Sequence, residues 1–553
     1  MTIMQIVFWC ISVLGNTGAS LAVYYTGQPL YWVLLAVTLI YTAIGLYDLF
    51  LSRHTLNRLY PVVAYIRYFL ESFRTEIHQY FIASNTEELP FNREQRTLVY
   101  QRAKNLRDTM AFGTQQDVLA ENYLSLWHSL SPTTVKPEYE RIMIGGPNCT
   151  QPYSASYLNI SAMSYGALSK QAIEALNLGA KLSHCYHNTG EGSVSPYHLK
   201  HGGDIVWQIG SGLFGCRTQD GQFDENEFKK IAHLDAVKMI EIKLSQGAKP
   251  GHGGVLPKSK ISDEIAAIRG IPKDRDCVSP TIHPLCENPL SLLATVGQFR
   301  ELSGGKPVGF KLCVGNPAEF LAICKAMIET EITPDFITID GAEGGTGAAP
   351  VEFSNRLGMT CLDAVYLINS ALIGCGLRDK IKLIASGKTA SAFDLLAKVA
   401  AGADVVNAAR TMMMALGCIQ SQSCNTNHCP TGIATQDPAR GKALNVPSKG
   451  QRVANFQKNT LHAFFELVGS MGLDQPRALT PNMLKRRGPY GLTVSLGGVV
   501  PLLGVNQLLG HSPLPAPWNE WWQLASSKRF YVADKQYLHS PELFYRSGQT
   551  QMN

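Results

Sequence analysis

No charged side chain occurs between Met1 and Asp48, and apolar positions there run on every face of a helix. Residues 3–23 and 30–47 are each near the ~20 needed to cross a hydrocarbon core. Thr26, Gly27, Gln28 and Pro29 between them have turn chemistry, so the pattern predicts a transmembrane helical hairpin over 1–52. Arg53, Arg58 and Arg67 follow the second span, and the positive-inside rule then puts the chain beyond them in the cytoplasm, below a multi-pass anchor in the cytoplasmic (inner) membrane. Gly15, Asn16, Thr17 and Gly18 interrupt the first span, which leaves a buried helical pair in a soluble protein as the alternative.

From 53 to 131 the apolar positions recur three and four residues apart, as in "PVVAYIRYFLESFRTEIHQYF", and predict a helical connector. After Pro132 the period changes. Short β-rich runs ("YLNISAMSYG", "DIVWQIGSG", "VKMIEIKLS", "KPVGFKLCVG", "PDFITIDGAEGG", "IKLIASGK", "ADVVNAAR") alternate with helical ones such as "AIEALNLGAKLS" and "AFDLLAKVAAG". Seven or eight such units, with polar or glycine residues at each strand end, predict a (β/α)8 barrel over 132–470, with its active site at the C-terminal strand ends. A C-terminal extension fills 471–553; its uncharged "YGLTVSLGGVVPLLGVNQLLG" and aromatic "PWNEWWQL" suit either a membrane surface or ordinary packing.

Composition narrows the chemistry. The net charge of +6 is well mixed over 553 residues, unlike the concentrated basic face of a nucleic-acid binder, so no nucleic-acid partner is expected. Thirteen cysteines without a framework point to a reducing compartment with thiols free for metals. "GSGLFG", residues 210–215, matches GxGxxG, but the polar "CRTQDGQFDENEF" intervenes before the next helix, which argues against a dinucleotide fingerprint. Phosphate signals are better placed. "ASGKTAS" (385–391) and "NAAR" (407–410) stand at the ends of the last two strands, after the glycine-rich "DGAEGGTGAAP" (340–350). Together they favour a phosphorylated cofactor such as FMN. "CIQSQSCNTNHC" holds Cys418, Cys424 and Cys429. Three thiolates suit an iron–sulfur cluster with one iron fewer than a cubane; a Cys3His zinc site completed by the adjoining His428 is the alternative.

"NISAMSYGALS", "NTGEG", "QIGSGLFG", "GAKPGHGG", "LSGGKPVGFKLC", "DGAEGGTGAAP", "IASGK" and the three-cysteine run occur in the order found in the FMN-binding synthase domain of glutamate synthase. Over about 150–440 the chain resembles that domain, and its leading hairpin and "QYFIASNTEELPFNREQR" look like a stand-alone, membrane-anchored branch of the family. The resemblance implies FMN and a 3Fe-4S cluster on Cys418, Cys424 and Cys429. It implies that the Met163 and Ser164 backbone covers one flavin ring edge, with Gln208 and Lys311 reaching its polar atoms. Gly344, Gly345, Thr346, Ser386, Gly387, Lys388, Ala409 and Arg410 would line the ribityl and phosphate. Lys249 and Arg269 match the residues that bind 2-oxoglutarate, and Glu191 matches a family acid near the site. Glu191, Lys249 and Lys311 are thus the candidates nearest the reaction. In "KPGHGGVLP", however, His252 and Val255 replace the family's usual glutamate and glutamine.

The glutaminase that supplies ammonia in full-length glutamate synthases is not expected in this chain. Nitrogen would come as free ammonia, from a separate glutaminase, or as another amine, and electrons from a separate donor. The implied reaction is reductive amination of 2-oxoglutarate, through 2-iminoglutarate, to L-glutamate. The alternative is a membrane-linked flavin oxidoreductase or an amine/glutamate transferase of the methylamine-glutamate type.

Overall fold

A computed structural model of the chain describes residues 1–496, 500–510 and 513–532. The chain divides into two compact units, 1–89 and 90–553. In the first, α1 (Ile3–Thr26) begins with a reciprocal cap between Thr2 and Gln5 and ends at Gly27, whose left-handed φ of 62° a side chain would resist. Pro29 then opens α2 (Pro29–Phe50). Phe8 fills a notch at Gly45 where a Cβ would collide with its ring, and Asn16 Nδ2 donates to Thr42 Oγ1 at 2.8 Å. Gly15 faces Thr38 in the same way. Two of the residues that interrupt the first span, Gly15 and Asn16, therefore face the second, as small and polar residues do between helices in lipid, while Thr17 and Gly18 are exposed. Both helices are long and apolar enough to cross a membrane, by length and composition, and only 17% and 11% of their apolar windows are buried.

The second unit is built on a closed parallel barrel. Its strands are β1 (Leu158–Ile160), β2 (His187–Asn188), β3 (Ile205–Ile209), β4 (Val237–Lys243), β5 (Val308–Leu312), β6 (Phe336–Asp340), β7 (Lys382–Ser386) and β8 (Val405–Ala408). β8 pairs with β1 in the register Val406 to Leu158 and closes the ring. The helices Lys170–Ser183, Glu225–Ala232, Pro289–Leu302, Pro317–Thr330, Cys361–Gly374, Ala392–Ala401 and Val446–Ser470 pack around it. No helix opens at "GSGLFG"; Gly210 leads into a loop, and the next helix starts at Glu225, so that motif is a barrel strand end.

Two regions depart from the periodic pattern. Helix Arg93–Ala103 stops at Lys104 and left-handed Asn105, and no helix follows through 131. Leu124–Ser125 instead forms a strand edge with Lys485–Arg487. A 45-residue stretch between β4 and helix Pro289–Leu302 carries the "KPGHGGVLP" loop, a two-stranded sheet (Val255–Leu256 with Cys277–Val278) and helix Asp263–Arg269. In the C-terminal extension Trp518 and Trp521 are fully buried, and Lys325 Nζ donates to the carbonyls of Trp522 (2.7 Å) and Ala525 (3.0 Å). These tryptophans pack against the barrel's helices. Part of the "YGLTVSLGGVVPLLGVNQLLG" run, at 497–499, and everything beyond 532 lie outside the described residues.

Candidate active site

The barrel lumen is polar at its C-terminal end because alternate residues of the strands point inward. Glu241 of β4 is buried there and accepts from Asn188 Nδ2 (2.9 Å), Gln208 Nε2 (2.5 Å) and Thr338 Oγ1 (2.6 Å). It thereby fixes the Gln208 amide. Lys311 of β5 lies 3.4 Å from Asp340 Oδ2 at the end of β6. Burial acts to lower Lys311, but the carboxylates of Asp340, Glu241 and Glu191 outweigh it and hold the ammonium above its ordinary range.

A cavity of about 670 Å3 opens above this floor. At one end the glycines are dictated by space: a Cβ on Gly345 would come within 2.6 Å of the Arg410 side chain, and one on Gly387 within 2.9 Å of Cys361. Lys388 and Arg410 both lie over the Phe91 ring, 5.6 and 4.9 Å from its centroid. Burial lowers both cations, and Arg410 further depresses Lys388. Two half-buried cations over one ring, beside glycine turns, favour an anion, and this end suits a phosphate. Phe91 is itself held by the Gln420 side chain, which accepts from its N–H (3.2 Å) and donates to its carbonyl (3.0 Å). Glu343 caps helix Cys361–Gly374 by accepting from the Cys361 N–H.

The opposite end is built by β2, β3, β4 and the inserted stretch. Glu191 lies 3.0 Å from Lys243 Nζ, and Lys243 also donates to Gln246 at 2.6 Å. Burial would raise Glu191, but Lys243, Arg269 and Lys249 together hold it below its ordinary value, so it is a carboxylate at neutral pH. Burial and then Lys243 push Lys249 down to about 8. Arg269, at the end of its helix, donates to Ser164 Oγ (3.3 Å) and the Tyr165 carbonyl (2.9 Å) and stacks over Phe214. His252 does not line the cavity: its ring packs edge-on against Phe353 and its Nδ1 meets the Gly253 carbonyl. Val255 does line it.

Cys418, Cys424 and Cys429 line the same cavity. Burial pushes the Cys418 thiol up to about 11 and raises Cys424, with the neighbouring cysteines adding to both. Cys429 goes the other way: burial opposes ionisation, but the Thr431 hydroxyl and the N–H groups of Ala434, Thr431 and Ile433 draw it below its usual value. His428 is exposed, and among the described residues no three His, Cys, Asp or Glu side chains come close enough to hold a single metal ion. Lys260, from the inserted stretch, is buried and donates to the carbonyls of Ala167 (2.8 Å) and Cys424 (3.0 Å).

The candidate residues Met163, Ser164, Glu191, Gln208, Lys249, Arg269 and Lys311, the glycine and phosphate-end residues, and the three cysteines all line this one cavity, whereas His252 and His428 do not. Sequence reading did not find Glu241, Lys243, Asp340 or Glu343, nor Phe91 as a cover for the two cations. Glu241 and Lys243 sit in "VKMIEIKLS", where alternation of charged and apolar residues was the only signal.

Fold and site together define a (β/α)8-barrel enzyme whose mouth combines an anion-ready end with a carboxylate held among cations. The model of the conserved region in glutamate synthase matches residues 103–474. The chain is 34% identical over 489 residues to the glutamate synthase large subunit-like protein YerD of Bacillus subtilis, covering 81% of this chain and 93% of that one. It is 32% identical to an archaeal glutamate synthase [NADPH] of Archaeoglobus fulgidus (68% of each chain). It is 33% identical to an archaeal-type glutamate synthase [NADPH] of Thermotoga neapolitana (59% and 62%). The chain belongs to the glutamate synthase family and is an oxidoreductase acting on CH–NH2 groups.

Proposed function

We propose that this chain is an FMN- and 3Fe-4S-dependent, membrane-anchored glutamate synthase-like enzyme that makes L-glutamate from 2-oxoglutarate and ammonia. The observation that carries the reading is the single cavity joining the Lys388–Arg410 end, the Lys311 floor and the Lys243–Glu191–Lys249–Arg269 group. Bound FMN would supply the electron pair that reduces the imine, and Cys418, Cys424 and Cys429 would hold the cluster that feeds it. What supports the cluster is the spacing of the three cysteines in the sequence and their place on the wall of this cavity.

The chain's own residues divide the rest of the work. Lys249 and Arg269 give the two substrate carboxylates cationic partners. Glu191, kept ionised, suits pairing with incoming ammonium and orienting it; its low proton affinity makes it a relay that passes the proton on to water, and the ammonia left attacks the 2-oxo carbon with loss of water. Lys311, kept protonated, would favour negative charge on a flavin bound above it. The insert around Lys249 and the Phe91 cover would keep water from both ends. α1 and α2 would cross the membrane, with the barrel on the cytoplasmic side; their scant burial fits lipid-facing helices better than a soluble core.

Titrating the oxidised holoenzyme with 2-oxoglutarate tests the substrate assignment. A saturable change in the flavin spectrum, lost in Lys249→Ala and Arg269→Ala, is expected; no change at any concentration rejects it. A second reading, oxidation or transfer of another amine or amino acid, is favoured by Val255, which presents no amide to a second carboxylate.

A further inference from the structure

The sequence after α2 buries little of its apolar surface. In helix Ala64–Ser72 and the residue after it, Tyr65, Ile66, Phe69, Leu70 and Phe73 fall on one side at 100° per residue, with Arg67, Glu71 and Arg74 on the other. The apolar side faces outward: Phe69 is 64% exposed and Ile66 60%. Seven residues beyond Phe73, Tyr80, Phe81 and Ile82 are exposed again, Phe81 at 85%. On the polar side Arg67 pairs with Glu71 at 3.2 Å. So much exposed aromatic and aliphatic surface in one short segment is costly in water and marks an interaction site.

This segment is fastened to the end of α2. Asp48, fully buried although it is the first charge in the chain, accepts from Asn57 Nδ2 (3.2 Å), the Val62 N–H (2.9 Å) and Tyr65 Oη (2.9 Å). One carboxylate therefore sets where the amphipathic helix leaves the second span, at the level where that span's apolar run stops. We propose that residues 64–82 lie in the headgroup region of the bilayer as an interfacial anchor, with Tyr65, Ile66, Phe69, Leu70 and Phe81 in the acyl boundary. Arg67 and Arg74 on the polar side would meet lipid phosphates. The occupant of the exposed face is lipid and not a second copy or another part of this chain, because Asp48 fastens the segment to the end of α2, a helix long and apolar enough to cross a membrane by length and composition and little buried. Aromatic side chains and arginines are also the residues that favour this depth. The proposal rests on reading α1 and α2 as spans.

The full-length protein is reconstituted into phosphatidylethanolamine–phosphatidylglycerol vesicles with a photoreactive benzoylphenylalanine in place of Phe69, Glu71 or, mid-span, Leu39. Expected are lipid adducts at Phe69 and Leu39, each several-fold above Glu71. Adducts at Leu39 alone overturn the interfacial anchor and keep the spans; adducts at neither overturn both. Protein–protein adducts at Phe69 overturn the lipid assignment, and equal adducts at Phe69 and Glu71 overturn the oriented face.

Discussion

The Glu191 carboxylate reaches Lys243 Nζ at 3.0 Å and occupies a space between Gly210 and Gly254 in which neither has room for a Cβ. The two glycines thus shape the acid's position, and the lysine its charge. Gly254→Ala, whose methyl would collide with Glu191 Oε1, is expected to keep the fold and lose turnover with little change in flavin content. Glu191→Gln is expected to lose about a hundredfold or more in kcat, the usual yield of one proton-transferring group. Steady-state kinetics beside a flavin spectrum checks both.

Lys249 gives a pH dependence. Its free-enzyme value of about 8 lies below the ordinary lysine value, and only the cation pairs with a carboxylate. Substrate affinity is therefore present below about 8 and lost as pH rises through it, so KM for the 2-oxo acid climbs there. Removing the Glu191 charge takes away the group that raises Lys249, and in Glu191→Gln the climb moves to lower pH. A KM–pH profile that is flat from 7 to 9.5 in both proteins counts against Lys249 as the carboxylate partner.

Lys311 is buried against Asp340, near Glu241. Lys311→Met leaves two buried carboxylates without their cation, a loss of about 3 kcal/mol or more. Its purified protein is expected to melt earlier and to hold less flavin per mole.

Val255 and His252 separate two explanations of the altered loop. Val255→Gln restores an amide in the cavity and is expected to lower KM for 2-oxoglutarate about tenfold, the equivalent of ~1.4 kcal/mol. His252→Glu changes a side chain turned toward Phe353 and is expected to leave KM unmoved.

Lys260 joins the inserted stretch to the loop after β1 and to the cysteine loop through two carbonyls. Lys260→Met is expected to lower iron and acid-labile sulfide while flavin stays, which metal and flavin analysis of the same sample measures.

The barrel is legible wherever a strand is long and apolar. β2 is two polar residues, His187 and Asn188, held by register to Ile160 and Ile205, and no periodicity marks it. "NTGEG" pointed to that strand end only through the family resemblance. Strand-end glycines and basic residues were readable because close approach and phosphate need particular side chains. Glu241 was not: a charged residue in a strand reads as a solvent-facing position, and only ring closure turns it inward onto Asn188, Gln208 and Thr338. Asn105 shows the limit of helical periodicity, since its left-handed backbone ends the connector helix and the next stretch joins the C-terminal extension instead.

The most direct test of the account is anaerobic. The detergent-purified holoenzyme is reduced chemically, 2-oxoglutarate and ammonia are added, and flavin reoxidation is followed while glutamate is assayed. The account predicts reoxidation only when both are present, with one glutamate formed per flavin reoxidised. A flavin that stays reduced with both present, yet is reoxidised by another imine or acceptor, contradicts glutamate synthesis from free ammonia.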